Sequence, residues 1–170
     1  PNAKFFILFL HSNGEDIGMC HAFVSRLRDL LEVHVLAVEY PGYGICPGTP
    51  SEERLHAAAR LGFGFMTQVL GAEPADVILF GRSLGTALAL ALGAEFRVGG
   101  LVLVAPFLSL REAVSQFTGI QLAEVLLEEL FCNKDRIKSV EAALGGFRAR
   151  ASRGDMNEPC GASGTFPADR

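Results

Sequence analysis

From Val77 the chain runs Val-Ile-Leu-Phe, breaks into Gly81-Arg-Ser-Leu-Gly85, and passes at once into an Ala/Leu-rich stretch. Four apolar residues without polar alternation predict a strand buried on both faces. Leu84, Ala87, Leu88, Ala91 and Leu92 then recur at helical spacing. The change of period happens across a single residue, which places Ser83 on a tight strand-to-helix turn. Glycines suit both flanks, because strand and helix backbones approach closely there and a strained residue needs accommodating neighbours. A bare Gly-x-Ser-x-Gly arises by chance in roughly one chain in ten of this composition, so the flanking strand and helix carry the argument.

The same alternation extends over the first 144 residues. Phe5 to Leu10 reads as a strand, followed by the turn His11-Ser-Asn-Gly14. Ile17, Cys20, Phe23, Val24, Leu27, Leu30 and Leu31 then line one face of a helix. His34 to Val38 is a second strand, ending in Glu39-Tyr-Pro-Gly-Tyr-Gly44. Thr49-Pro-Ser-Glu52 predicts a helix start in which Thr49 caps, Pro50 takes the first position and Glu52 closes a capping box. That helix continues through Leu55, Ala59, Met66 and Leu70, and Leu101 to Val104 forms a fourth strand. Strands separated by helices imply right-handed crossovers and a parallel sheet covered on both faces, an α/β fold.

From Gly145 to Arg170 there is no Val, Ile or Leu. Such a segment lacks the apolar area to offset its ordering entropy, so residues 145–170 read as a disordered tail behind a domain at 1–144. The chain begins at Pro1 and reaches a core strand almost immediately, which suggests a fragment.

Composition narrows the function. The net charge of −4 and the absence of a Lys/Arg tract give no electrostatic reason to expect nucleic acid. Cys20, Cys46, Cys132 and Cys160 lie far apart with no Cys-x-x-Cys pair, and read as free thiols of a reducing compartment. The longest early apolar run, Phe5 to Leu10, is too short to span a bilayer or to form a signal-peptide core. No His/Cys/Asp cluster has ligand spacing, so neither a metal nor a cofactor is expected. The Gly-rich turn also lacks the spacing of a phosphate loop.

A serine on such a turn is a nucleophile elbow, and its chemistry is acyl transfer. The usual chain order is serine, then an acid, then histidine, yet the last histidine here is His56. His21, His34 and His56 read as surface or packing histidines. Asp155, after a glycine in Arg153-Gly-Asp-Met-Asn157, is a candidate acid with no apolar strand before it to hold it in place.

Residues 5 to 140 resemble the amino-terminal two thirds of an α/β-hydrolase domain. The matching segments are Phe9-Leu-His-Ser-Asn-Gly14, Tyr40-Pro-Gly-Tyr-Gly44, Gly48-Thr-Pro-Ser-Glu52, Phe80-Gly-Arg-Ser-Leu-Gly85 and Ala105-Pro-Phe-Leu-Ser109. They are most similar to an intracellular branch of serine hydrolases that includes protein depalmitoylases. Phe131-Cys-Asn-Lys-Asp-Arg-Ile-Lys138 resembles the family segment that precedes the strand carrying the catalytic acid. The resemblance stops near Ala143, before that strand and the later loop that carries the catalytic histidine. Premature truncation or a shifted reading frame would leave this pattern.

The resemblance implies Ser83 as nucleophile, with the Leu84 and Asn13 N–H groups as oxyanion-hole donors and His11 as an organiser of its turn. It also implies a small acyl ester or an acylated protein as substrate. The expected location is cytoplasmic, with the full-length parent able to associate with membranes. The amphipathic segment 120–130 could contribute to a lid or simply pack on the sheet. Without a base, Ser83 is expected to have ordinary alcohol reactivity and the chain negligible turnover. The alternative is a non-catalytic binding scaffold that kept the fold. A third reading is an unstable gene-model product whose Leu101–Val104 strand leaves an open apolar edge.

Overall fold

The computed structural model describes residues 3–107, 109, 131–133, 136–138 and 140. Asp155, the 145–170 tail and the 120–130 segment lie outside them. Over residues 6–104, four strands and three α-helices alternate: β1 (Phe6–Leu10), α1 (Ile17–Leu31), β2 (His34–Val38), α2 (Glu52–Gly64), β3 (Val77–Arg82), α3 (Leu84–Glu95) and β4 (Gly100–Val104). The sheet order is β2-β1-β3-β4 and every pairing is parallel. Phe6 stands opposite both His34 and Val77, and Leu10 opposite both Val38 and Gly81, so three strands share one register. Their carboxyl ends therefore finish at one level, and the loops that follow meet there.

The pleat divides the core between two faces. Ile7, Phe9 and Phe80 turn to α1 and pack with Cys20, Val24 and Leu27. Leu8, Leu10, Val77 and Leu79 turn the other way, onto Leu55, Ala59 and Phe63 of α2 and Leu84, Leu88 and Leu92 of α3. α3 lies deepest: Ala87 to Leu90 have no exposed surface, which explains a helix with so little polar sequence. Burying each of its leucines contributes about 1.5–3 kcal/mol.

The start of α2 differs from the expectation. Ser51, not Thr49, is the N-cap, its hydroxyl accepting from the Arg54 N–H, and Glu52 is the first helical residue. Thr49 Oγ1 instead accepts from the Arg54 guanidinium at 2.5 Å. Glu52 closes no capping box: its carboxylate accepts from the Phe131 N–H at 3.0 Å. A tertiary partner has taken the side chain that local sequence assigned to the cap. Beyond Gly64 the helix widens into a π turn over Phe65–Val69, closed by Leu70 N–H to Phe65 O. β4 pairs with β3 alone among the described residues, and its Val102 and Val104 are each 41% exposed.

Candidate active site

Ser83 stands at the carboxyl end of β3 with φ 48° and ψ −113°, outside the regions an L-residue ordinarily occupies. The turn is held from three directions. The Ser83 N–H donates to Val104 O at 2.8 Å, and the Ser83 carbonyl accepts from both the Thr86 N–H (2.8 Å) and the Thr86 hydroxyl (2.6 Å). Gly81 and Gly85 make the turn sterically possible. A Cβ on Gly81 would stand 2.7 Å from the Gly85 carbonyl carbon, and one on Gly85 would stand 2.6 Å from the Leu10 carbonyl carbon. The half-buried Ser83 side chain makes no capping hydrogen bond to α3, although it occupies the N-cap position. Its hydroxyl is thus not consumed by the helix it precedes.

Leu84 opens α3, where the orphan N–H groups and the helix dipole favour negative charge. Asn13 follows β1, the strand beside β3 in the sheet. Among the described residues, neither the Leu84 nor the Asn13 N–H donates to another group. The shared register brings the two loops to the same end of the sheet.

The turn after β1 is fixed residue by residue. His11 is fully buried, with Nε2 2.9 Å from Glu39 Oε1 and Nδ1 3.0 Å from Ser12 O. Its ring stacks on Tyr40 at 4.1 Å, and the Tyr40 hydroxyl donates to His11 O at 3.0 Å. Tyr43 donates to Asn13 Oδ1 at 2.7 Å. Glu15 Oε2 accepts from the Ser12 N–H (3.1 Å) and the Ser12 hydroxyl (2.5 Å), while its Oε1 pairs with the Arg82 guanidinium. Burial pushes the Glu15 carboxyl up, but the Ser12 hydrogen bonds, Arg82 and His11 together outweigh it and hold it below its ordinary value.

None of the four histidines is arranged as a base for Ser83. Both ring nitrogens of His11 face oxygen acceptors. His21 is exposed on α1. His34 begins β2, level with Val77 at the opposite end of the sheet, roughly 20 Å from Ser83 at about 3.3 Å per residue. His56 is buried beside the Phe131 ring, with Nε2 3.5 Å from Glu52 Oε1.

The sequence reading missed Glu15, Glu39 and Arg82. Arg82 lay inside the serine motif and Glu39 inside a quoted turn, but nothing local says that Arg82 reaches a residue 67 positions earlier. Among the described residues, no group of three or more His, Cys, Asp or Glu side chains could hold a metal. Cys20, Cys46 and Cys132 are free thiols.

The alpha/beta hydrolase family model matches residues 7–167. The chain belongs to the alpha/beta hydrolase family. Its match to this hydrolase family runs past Ala143, where the recognisable motifs end. Human alpha/beta hydrolase domain-containing protein 17B is 31% identical over 109 residues, covering 64% of this chain and 38% of that protein. Alpha/beta hydrolase domain-containing protein aho-3 of Caenorhabditis elegans is 34% identical over 109 residues, 64% of this chain and 33% of that protein. The match thus spans only 33–38% of the length of these curated relatives. Among solved structures, an alpha-beta hydrolase from Vibrio vulnificus superposes with a TM-score of 0.69 at 26% identity, covering 79% of this chain and 52% of that one. An esterase of the bacterial hormone-sensitive lipase family shares the fold, with a TM-score of 0.52 at 19% identity.

Proposed function

We propose that this alpha/beta hydrolase chain carries the nucleophile half of a serine hydrolase acting on carboxylic esters or thioesters. In this reading Ser83 attacks the acyl carbon, and the Leu84 and Asn13 N–H groups receive the developing oxyanion. The observation that carries it is the Ser83 backbone, held at φ 48° between two glycines that admit no side chain, with the hydroxyl left out of the helix cap. A serine with no reactive duty gains nothing from such strain. Asp155, outside the described residues, stays the candidate acid within the chain. The sequence has no histidine after Ser83, so its own turnover is negligible. Residues 1–144 then form an incomplete catalytic domain. The resemblance to depalmitoylases favours acylated protein as the substrate, and a cytoplasmic, membrane-peripheral site of action. Among the described residues no helix is long and apolar enough to cross a membrane.

The missing base also favours a second reading, a non-catalytic scaffold with this fold. Prolonged incubation of the folded chain with a fluorophosphonate, followed by mass spectrometry, separates the two. Slow modification confined to Ser83 and lost in Ser83→Ala, with hydrolysis of a short-chain p-nitrophenyl ester at background, is the expected result. No modification, in a sample shown folded by circular dichroism, would establish the scaffold.

A further inference from the structure

The two amides assigned to the oxyanion hole stand on different loops, and only their relative position makes them a pair. Asn13 is one residue beyond Ser12, and Leu84 is two beyond Arg82. Glu15 connects them. One carboxylate oxygen holds the Ser12 N–H and hydroxyl, and the other holds the Arg82 guanidinium. Among the described residues, the other side chains that reach the Asn13 turn from outside it, Tyr40, Tyr43 and Glu39, come from the β2 side of the sheet. The Glu15 link is the one that ends on β3, the strand that delivers Ser83 and Leu84. It lies partly out of solvent, with the Glu15 side chain 17% and the Arg82 side chain 37% exposed.

We propose that the Arg82–Glu15 ion pair is a positioning element that sets the Asn13 amide against the Leu84 amide at the adjoining carboxyl ends of β1 and β3. The proposal rests on the reading of those two amides given above. Arg82 and Glu15 touch no reacting atom in it. They act through Ser12 and through the backbone on either side of Ser83. A carboxylate that accepts two bonds from Ser12 while paired to a guanidinium fixes that loop far better than a neutral acceptor. The titratable and charged groups facing Glu15 are the Arg82 guanidinium, the buried His11 ring and the Cys20 thiol at 3.8 Å. Of these, Arg82 and His11 favour its charged form, and only Arg82 leads to the elbow.

The test is an acid titration of the isotopically labelled full chain, following backbone amides by NMR, in the wild type and in Arg82→Gln and Arg82→Lys. In the wild type the Ser12 and Leu84 amides are expected to move together, with one midpoint below the ordinary carboxylate range. In Arg82→Gln the Ser12 midpoint moves up and the Leu84 amide stops responding, while Arg82→Lys restores the Leu84 response. A residue that merely stabilised the fold would not carry the Glu15 titration to Leu84. The second readout is the rate at which a fluorophosphonate modifies Ser83. There the Oγ–phosphorus bond forms, fluoride leaves with its electron pair, and the hydroxyl proton passes to buffer. Displacing one of two oxyanion donors is expected to slow that step roughly tenfold in Arg82→Gln, with Arg82→Lys near the wild-type rate. A wild-type Leu84 amide blind to the Glu15 titration, or an unchanged rate in folded Arg82→Gln, overturns the proposal. If Arg82→Gln does not fold, Glu15→Gln replaces it, with loss of the Leu84 response and the same slowing expected. If Ser83 is unmodified even in the wild type, the hydrolase reading fails, and the amide titration alone still decides the coupling.

Discussion

The α carbon of Gly85 lies so close to the Leu10 carbonyl that a side chain there would overlap its oxygen and stand 2.6 Å from its carbon. The first turn of α3 and the end of β1 are therefore pressed together, backbone against backbone. Neither partner is a flexible side chain that could move aside. Gly85→Ala should cost about 3 kcal/mol, the upper range for overpacking, because the elbow must shift as a unit. Urea denaturation measures this, and a loss below about 1 kcal/mol would show that the contact relaxes easily.

Strain at Ser83 predicts the opposite sign. Its φ of 48° with ψ −113° costs on the order of 1–3 kcal/mol for a residue with a Cβ, and glycine escapes that cost. The extra freedom of glycine in the unfolded chain returns about 0.4–1 kcal/mol of it. Ser83→Gly should stabilise the protein by roughly 1 kcal/mol over Ser83→Ala, raising its melting midpoint by about 2–4 °C. A lower midpoint for Ser83→Gly than for Ser83→Ala would remove strain from the account of the elbow.

His56 gives stability an acid limb. Burial lowers its pKa, the nearby Arg136 guanidinium lowers it further, and Glu52 opposes both without prevailing. The unfolded chain then binds more protons than the folded one once pH falls below the ordinary histidine value of about 6.5. The stability due to neutral His56 is full above that pH and is lost as pH falls towards the folded-state pKa. Denaturation curves of the wild type should weaken over that range, and those of His56→Phe should weaken less. Equal slopes for the two proteins would assign the limb to other groups.

Cys20 should be inert. Burial, then the charge of Glu15, pushes its thiol up to about 11, and the opposing Arg82 charge is smaller. At pH 8 roughly one thiol in a thousand would be ionised, and the thiolate is the reactive form. Iodoacetamide should alkylate the partly exposed Cys46 of the folded chain and leave Cys20 unmodified until denaturant is added. Peptide mapping checks this, and early alkylation of Cys20 would mean that α1 opens readily from the sheet.

Much of this protein was readable along the chain, because strands and helices differ in a period that a linear pattern records. Val77-Ile-Leu-Phe followed by Gly-Arg-Ser-Leu-Gly fixed β3, the turn at Ser83 and α3, and the helix/strand alternation fixed a parallel sheet. The boundaries were less legible where tertiary partners intervene. Thr49 looked like a cap, but Glu52 is drawn to the Phe131 N–H and Ser51 caps in its place. The site divides in the same way. Ser83 and its glycines announce themselves locally, since a tight turn has its own composition. Glu15, Arg82, Glu39 and Tyr40 do not, because each acts on a residue far away in sequence. An ion pair between positions 15 and 82 leaves no local trace, as ordinary surface charges would read the same. Sequence alone determined that a serine is presented on a strained turn in an α/β sheet. Only the tertiary structure decided what surrounds it, because parallel pairing brings distant loops to one end of the sheet.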